Sequence, residues 1–140
     1  MMGKVIVTAK LENLEDLHAV HLGVLSADQV RRIEVTDALV DTGAMGMMLP
    51  MRLVNQLGLR QWGTRNARTA SGPIILPVYG TVQLTVQGRE FRCDVYGVPD
   101  GTPVLIGQIP LEGLDFVVDP TNQRLIGNPE HGGEHMIDVF

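Results

Sequence analysis

Three consecutive residues, Asp41-Thr42-Gly43, are the part of this chain best suited to chemistry. They follow the apolar run Ala38-Leu39-Val40. An ionised carboxylate at the end of a buried strand loses hydration, which is costly unless the group is exposed, paired or used. The Thr42 hydroxyl can hold the loop, and Gly43 can direct a backbone N–H at the carboxylate. The pattern is typical of a site for peptide hydrolysis by aspartate; the simpler alternative is that Asp41 only caps a turn.

Peptide hydrolysis by aspartate requires two carboxylates, and this chain carries the motif once. Two adjacent carboxylates hold one shared proton, so that one activates water while the other donates to the carbonyl oxygen. Two other acidic segments, Asp100-Gly101-Thr102 and Asp119-Pro120, lack the apolar strand and the Thr-Gly continuation. If the chemistry is present, the second carboxylate must be Asp41 of another copy. A homodimer with an isologous interface is therefore expected.

Two motifs together resemble the retropepsin-like aspartic proteases, in particular the small single-domain type of bacteria and archaea. The first is Ala38–Ala44, which is similar to the active-site loop of that family. The second is Val104-Leu105-Ile106-Gly107 followed by a short helix, and it begins 63 residues after Asp41. It resembles the apolar-apolar-Gly element that packs beside the loop. The resemblance covers about residues 33–119 and implies a closed acid-protease-type β-barrel, with one lobe per chain.

The resemblance also implies roles for individual residues. Asp41 would be the catalytic carboxylate of an aspartic endopeptidase acting on a peptide or protein, with no cofactor and no metal. Active-site loop support would come from Thr42, whose hydroxyl would bond across the dimer axis, and from Gly43, Ala44 and Gly107. A flap hairpin that contacts substrate is matched best by the segment Thr69–Ile74, with Ala70, Ser71, Gly72 and Ile74 as its binding residues. Pro73 would stiffen this flap.

Hydrophobic periodicity predicts the elements that must position these residues. Residues 32–40 are predicted as a strand leading to Asp41, with Ile33, Val35 and Leu39 at every second position. A hairpin is predicted around Gly88, because apolar residues alternate on both sides of it. Residues 11–25 fit either a short helix or an irregular strand pair. Further strands are predicted at residues 4–9, 103–107, 116–119 and 124–126, and short helices after Met48-Leu49 and at residues 109–114.

Composition indicates one all-β domain with one or two short helices. Sixteen glycines and eight prolines among 140 residues favour many turns. We expect a single domain over residues 1–140, with a core at about 4–127 and a loose tail at 128–140. The net charge of −5 argues against nucleic acid as a partner. The single cysteine, Cys93, and the absence of a long apolar run predict a cytoplasmic protein without a membrane partner.

Two other functions compete with the protease hypothesis. The first is a catalytically inactive peptide-binding or interaction module on the same fold, since a fold does not determine a function. The second is a metal site built from His131 and His135, although Gly132-Gly133 between them disfavours a helix that would align the two imidazoles. Trp62, Tyr79 and Ile74 are candidates for lining a substrate groove. The methionines after Ala44 are interpreted as core, and Cys93 as a buried apolar side chain.

Overall fold

A computed structural model describes residues 4–139 as a mainly β chain with three α-helices. The first three residues and the last residue of the predicted domain lie outside the described part. In chain order the elements are β1 Val5–Asn13, α1 Leu14–His21, β2 Arg32–Val40, β3 Met47–Pro50, α2 Met51–Gln56, β4 Arg60–Thr69, β5 Gly72–Val86, β6 Arg89–Val98, β7 Leu105–Ile106, α3 Gln108–Leu114, β8 Phe116–Asp119 and β9 Arg124–Gly127, with short 3₁₀ turns at Ala27–Gln29 and Pro129–His131. None of these helices has the length and apolarity that a membrane crossing requires.

Seven strands form one sheet in the order β1-β2-β7-β3-β6-β5-β4, and β1 also pairs with β5. Strand β5 therefore has three partners in the described chain, namely β4, β6 and β1. Strands β8 and β9 form a separate hairpin. Side chains from β1, β2, β3, β5, β6, β7, β8 and the helices α2 and α3 fill the interior. The largest fully buried ones include Leu11, Met47, Leu49, Leu57, Leu84, Ile106, Leu111 and Leu114.

Residues 4–139 contain three α-helices, so the expectation of one or two was too low. The additional one is α1, in the segment that the sequence left open. The Asn13 side chain accepts a hydrogen bond from the Asp16 N–H at 3.0 Å and so begins this helix. Asp16 in its first turn is buried and pairs with Arg31 at 2.8 Å. The hydrogen bond from Arg31 lowers the pKa of Asp16.

Strand β2 keeps the predicted bounds but not the predicted alternation. Its register with β1 shifts between the pairs Val7↔Ala38 and Ala9↔Val35, so two residues of β2 lie opposite one of β1. Such a bulge changes which side chains point inward. Val35 and Ala38 are buried as a result, while Leu39 is only half-buried.

Several hydrogen bonds connect the C-terminal segment, for which the sequence predicts a loose tail, to the rest of the described chain. The Arg89 guanidinium donates to the carbonyl oxygens of Leu114 and Asp115, at 3.0 and 2.7 Å, and to that of Gly133. The same guanidinium lies 4.5 Å from the centre of the Phe116 ring. One arginine thus fastens the end of α3 to the segment after β9.

Candidate active site

Asp41 is positioned by the parallel pairing of β2 with β7. The Leu39 N–H donates to the Val104 carbonyl at 2.8 Å, and the Asp41 N–H donates to the Ile106 carbonyl at 3.0 Å. The backbone on either side of the last β2 residue is therefore tied to the second apolar motif. These bonds place the carboxylate just where β2 leaves the sheet.

The three-residue motif forms a tight turn. The Gly43 N–H donates to Asp41 Oδ1 at 2.9 Å, and the Ala44 N–H donates to the Asp41 carbonyl at 3.1 Å. Among residues 4–139, Oδ2 of Asp41 receives no hydrogen bond. Asp41 is half-buried and Thr42 is exposed. One carboxylate oxygen is thus oriented by the loop, and the other faces outward.

The start of α3 supports the loop from behind. The Gln108 N–H donates to the Ala44 carbonyl at 2.8 Å, and the Ile109 N–H donates to the Met45 carbonyl at 2.9 Å. These N–H groups have no partner inside α3, because they belong to its first turn. The loop therefore satisfies the end of the helix while the helix fixes the loop.

Gly107 is packed directly against the loop backbone. Its N–H donates to the Gly46 carbonyl at 3.0 Å. A Cβ at this position would lie 2.6 Å from the Ala44 carbonyl oxygen and 2.8 Å from the Gly46 nitrogen, and closer still to the Gly46 oxygen. Only glycine allows this approach without displacing backbone atoms.

Strands β4 and β5 form a long hairpin with its turn at Ala70-Ser71. The Thr69 hydroxyl donates to the Gly72 carbonyl at 2.8 Å and accepts from the Ser71 N–H at 3.2 Å. Gly72 has a φ of 120°, which a side chain would rarely tolerate. The hairpin extends well beyond the segment 69–74 that the sequence indicated.

A groove of about 590 Å³ lies between the loop and this hairpin. The residues that line it are Asp41, Gly43, Ala44, Met45, Met48, Arg65, Asn66, Ala67, Arg68, Leu76, Tyr96 and Ile109. The loop supplies the carboxylate, and the hairpin arms supply the opposite wall. A groove of this size is typical of ligand sites in proteins.

Comparison with known protein families gives one match. The family described as aspartyl protease matches residues 29–128. The chain belongs to the aspartyl protease family. The predicted retropepsin-like resemblance is thereby confirmed. No curated protein matches this chain.

The aspartyl protease motif and the predicted binding residues are not all brought together. Asp41, Gly43 and Ala44 line the groove, whereas Thr42 and Gly107 do not. Four of the expected flap residues, Ala70, Ser71, Gly72 and Ile74, lie at the hairpin tip outside the lining of this single chain.

Other groove residues were missed or were expected elsewhere. Tyr79 does not line the groove, and Trp62 borders a separate cavity of about 310 Å³ beside His18. Met47 is fully buried, but Met45 and Met48 line the groove, so the core interpretation holds for only one of the three. Their positions depend on pairings that local periodicity does not reveal.

The two other acidic segments have structural roles in this family member. Asp100 Oδ1 accepts from the Arg52 N–H at 2.9 Å in the first turn of α2. Asp119 Oδ1 accepts from the backbone N–H of Thr121 at 3.1 Å, and Oδ2 accepts from the Asn122 amide at 2.8 Å. The Asn122 hydrogen bond lowers the pKa of Asp119. Asp41 is the one carboxylate that lines the groove within residues 4–139.

His131 is paired with carboxylates at the far end of α3. Its Nδ1 lies 2.6 Å from Asp115 Oδ2 and its Nε2 lies 3.0 Å from Asp138 Oδ2. The hydrogen bond to Asp115 chiefly raises the pKa of His131, and the same bond lowers the pKa of Asp115 to about 2. His135 instead contacts the Gly113 carbonyl at 3.1 Å. Over the described range, no three His, Cys, Asp or Glu side chains are grouped to hold a metal ion.

Cys93 lies on β6 and is half-buried, so the interpretation as a buried apolar side chain holds only in part. Burial raises the pKa of this thiol to about 12, with a smaller contribution from Asp94. A thiol of this kind is protonated at neutral pH and is a poor nucleophile.

Proposed function

We propose that this chain is an aspartic endopeptidase whose active site forms between two copies. The observation that carries the proposal is the half-buried Asp41, oriented by the Gly43 N–H, at one wall of a groove that the hairpin covers. Membership of the aspartyl protease family supports the same reaction class. We further propose that the sheet forms a closed barrel of the acid-protease type, one lobe per chain.

The proposed reaction needs one water and no cofactor. The ionised Asp41 of the pair removes a proton from water, and the oxygen of that water bonds to the scissile carbonyl carbon. The protonated Asp41 donates its proton to the carbonyl oxygen. The C–N bond of this tetrahedral diol then breaks as the proton taken from water passes to nitrogen, and one diol hydroxyl gives its proton to the Asp41 that had donated one. The products are a free carboxyl group and a free amine.

Dimerisation follows from the count of carboxylates in the groove. One chain supplies a single carboxylate there, and the mechanism requires two within reach of the same water. A twofold axis between two Asp41 loops provides the second one. Thr42 is exposed beside Asp41, so its hydroxyl is available to the partner loop.

The β4–β5 hairpin is proposed as the flap that closes over a bound peptide. Its arms already line the groove, and its tip is exposed. Ile74 retains 41% of its exposure in the single chain. We propose that Ala70, Ser71, Gly72 and Ile74 contact substrate only when the partner and a peptide are present.

The proposed function is tested by the Asp41→Asn variant. Asparagine keeps the size of the side chain and can still accept from Gly43, but it cannot hold the shared proton. We expect cleavage of unstructured peptides to fall by roughly a thousandfold or more. The unfolding midpoint and the dimer fraction should not change. Wild-type specific activity should rise with protein concentration until the dimer is saturated.

The outcomes separate this proposal from the alternative. Equal cleavage by Asp41→Asn and wild type would contradict the assignment. Peptide binding without cleavage by either protein would instead favour a non-catalytic binding module.

A further inference from the structure

The groove carries a positive wall in an acidic protein. The chain has a net charge of −5, yet the charged side chains that line the groove are Asp41, Arg65 and Arg68. If two copies share one groove and the Asp41 pair holds one proton, the lining of that groove includes four arginines and a single negative charge. This excess of positive charge makes the groove attractive to a negatively charged peptide.

Neither groove arginine forms an ion pair with a carboxylate of residues 4–139. Other arginines are, as shown by Arg31 with Asp16 at 2.8 Å and Arg60 with Glu15 at 3.1 Å. Within residues 4–139, no Asp or Glu oxygen lies within 4.0 Å of a side-chain nitrogen of Arg65 or Arg68. Because both arginines lie more than 4.0 Å from the Asp41 carboxylate, Asp41 also has no ionic partner among the described residues. These guanidinium groups can therefore bind an external carboxylate without breaking an ion pair.

Arg65 is the better placed of the two. It lies opposite Leu76 in the β4–β5 register, and cross-strand partners share one face of the sheet. Leu76 is 8% exposed and lines the groove, so this face is the inner one. Arg68 lies opposite Pro73, three residues further along β4 and hence on the other face.

We propose that Arg65 selects substrates with a glutamate or aspartate side chain beside the scissile bond. The guanidinium has a planar set of donors that matches a carboxylate with two parallel hydrogen bonds. Three other lining residues, Met45, Met48 and Ile109, offer apolar contacts to the rest of the peptide. The preferred substrate is thus an acidic peptide segment with apolar neighbours. This inference rests on the proposed function and names the substrate class for the same site.

The test uses matched peptides that differ by one group. Peptides cleaved by the wild-type protein are selected from a random decapeptide library and resynthesised with Glu or Gln at each position in turn. At one position, kcat/KM for the Glu peptide should exceed that for the Gln peptide by about tenfold. Arg65→Gln should remove this ratio by lowering kcat/KM for the Glu peptide about tenfold relative to that for the Gln peptide. Arg65→Glu should reverse it in favour of a Lys peptide.

Two variants on the same strand act as controls. Arg60→Gln makes the same substitution outside the groove and should keep the full ratio. Arg68→Gln should keep most of it; a loss as large as that of Arg65→Gln would overturn the assignment to Arg65. Equal cleavage of Glu and Gln peptides by wild type would overturn the inference and leave the proposed function intact.

A peptide-binding measurement tests the inference without requiring cleavage. Fluorescein-labelled Glu and Gln peptides are titrated with the Asp41→Asn protein, which still has the groove. A preference for the Glu peptide that disappears in the Asp41→Asn, Arg65→Gln double variant supports the inference. Equal affinity for both peptides overturns it. The preference should also vanish below about pH 4, where the substrate carboxylate becomes protonated while Arg65 and Arg68 stay charged.

Discussion

Two aspartates at opposite ends of α3 have contrasting surroundings. Asp41 receives one hydrogen bond at its side chain within the described chain, from the Gly43 N–H. Asp115 is 7% exposed and its side chain is satisfied by three partners. These partners are His131 Nδ1 at 2.6 Å, the Met136 N–H at 3.0 Å and Asn128 Nδ2 at 3.3 Å.

The contrast shows how a fold separates structural from reactive carboxylates. A carboxylate whose oxygens are all occupied stabilises its surroundings and has no oxygen left for a substrate. One that is oriented on a single side retains an oxygen for water or for a partner carboxylate. Asp115 therefore serves the fold, while Asp41 keeps one carboxylate oxygen without a hydrogen bond among residues 4–139.

The largest effect is expected at the support beneath Asp41. In Gly107→Ala the new methyl group would overlap backbone atoms of Ala44 and Gly46, which cannot move without shifting the loop. We expect a loss of about 1–3 kcal/mol of stability and roughly a hundredfold loss of peptide cleavage. Urea unfolding and kcat/KM measure the two effects.

The matched control is Gly63→Ala on β4, where a Cβ would meet no atom within 4 Å. This variant should change neither the stability towards urea nor kcat/KM appreciably. Full activity in Gly107→Ala would show that the loop is not fixed by this contact.

An intermediate effect is expected at the other carboxylate. Asp115 has a positive φ of 58°, which asparagine tolerates well, so Asp115→Asn tests the charge without disturbing the backbone. Losing the ion pair with His131 should lower the urea midpoint. Asp41→Asn should leave that midpoint unchanged, because Asp41 has no ionic partner within residues 4–139. A lower midpoint in Asp41→Asn than in Asp115→Asn would reverse the contrast.

The smallest effect concerns the pH dependence of stability. Contact with Asp115 raises the pKa of His131, so the charged imidazole stabilises the fold at low pH, and this contribution is lost as the pH rises through the raised pKa. The lowered pKa of Asp115, about 2, gives a contribution that is present above the usual value of 3.8 and lost as the pH falls towards 2.

Urea midpoints measured from pH 3 to pH 9 should therefore be highest between about pH 4 and pH 6.5 as far as this pair is concerned. His131→Gln should flatten that dependence. His21→Gln, at an exposed position of α1, should not. An unchanged profile in His131→Gln would show that the pair does not contribute.

Local sequence patterns predicted the strand that leads to Asp41 and the hairpin around Gly88. Features that depend on contacts between distant segments, such as strand β4, were not predicted. The alternation around Gly88 and the run to Asp41 are visible in sequence, because each is set by neighbouring residues. Strand β4 has no such signal: nine of its ten residues are exposed, so it shows no alternation between buried and exposed side chains. Its placement comes from pairing with β5 alone, which is why Arg65 was not expected in the groove.

The Asp115 contacts illustrate a second limit. His131 was noted in the sequence, but its partner lies 16 residues away, at the left-handed end of α3. Nothing in the spacing of these residues indicates that the segment after β9 returns to that point. The predicted roles of Asp41, Thr42 and the flap residues remain predictions until activity is measured.

Helix α3 connects the Asp41 loop to the surroundings of Asp115. Its first two amides hold the Asp41 loop, and the residue that follows its last turn, Asp115, holds the C-terminal segment. Seven helical residues span about 10 Å and behave as a stiff rod over that length. The contacts of Asp115 with Met136 and the contacts of Gln108 and Ile109 with the Asp41 loop therefore act on the same short helix, which couples the two regions mechanically. Removal of the last residues should misplace Asp41, and so reduce peptide cleavage, before it destabilises the sheet.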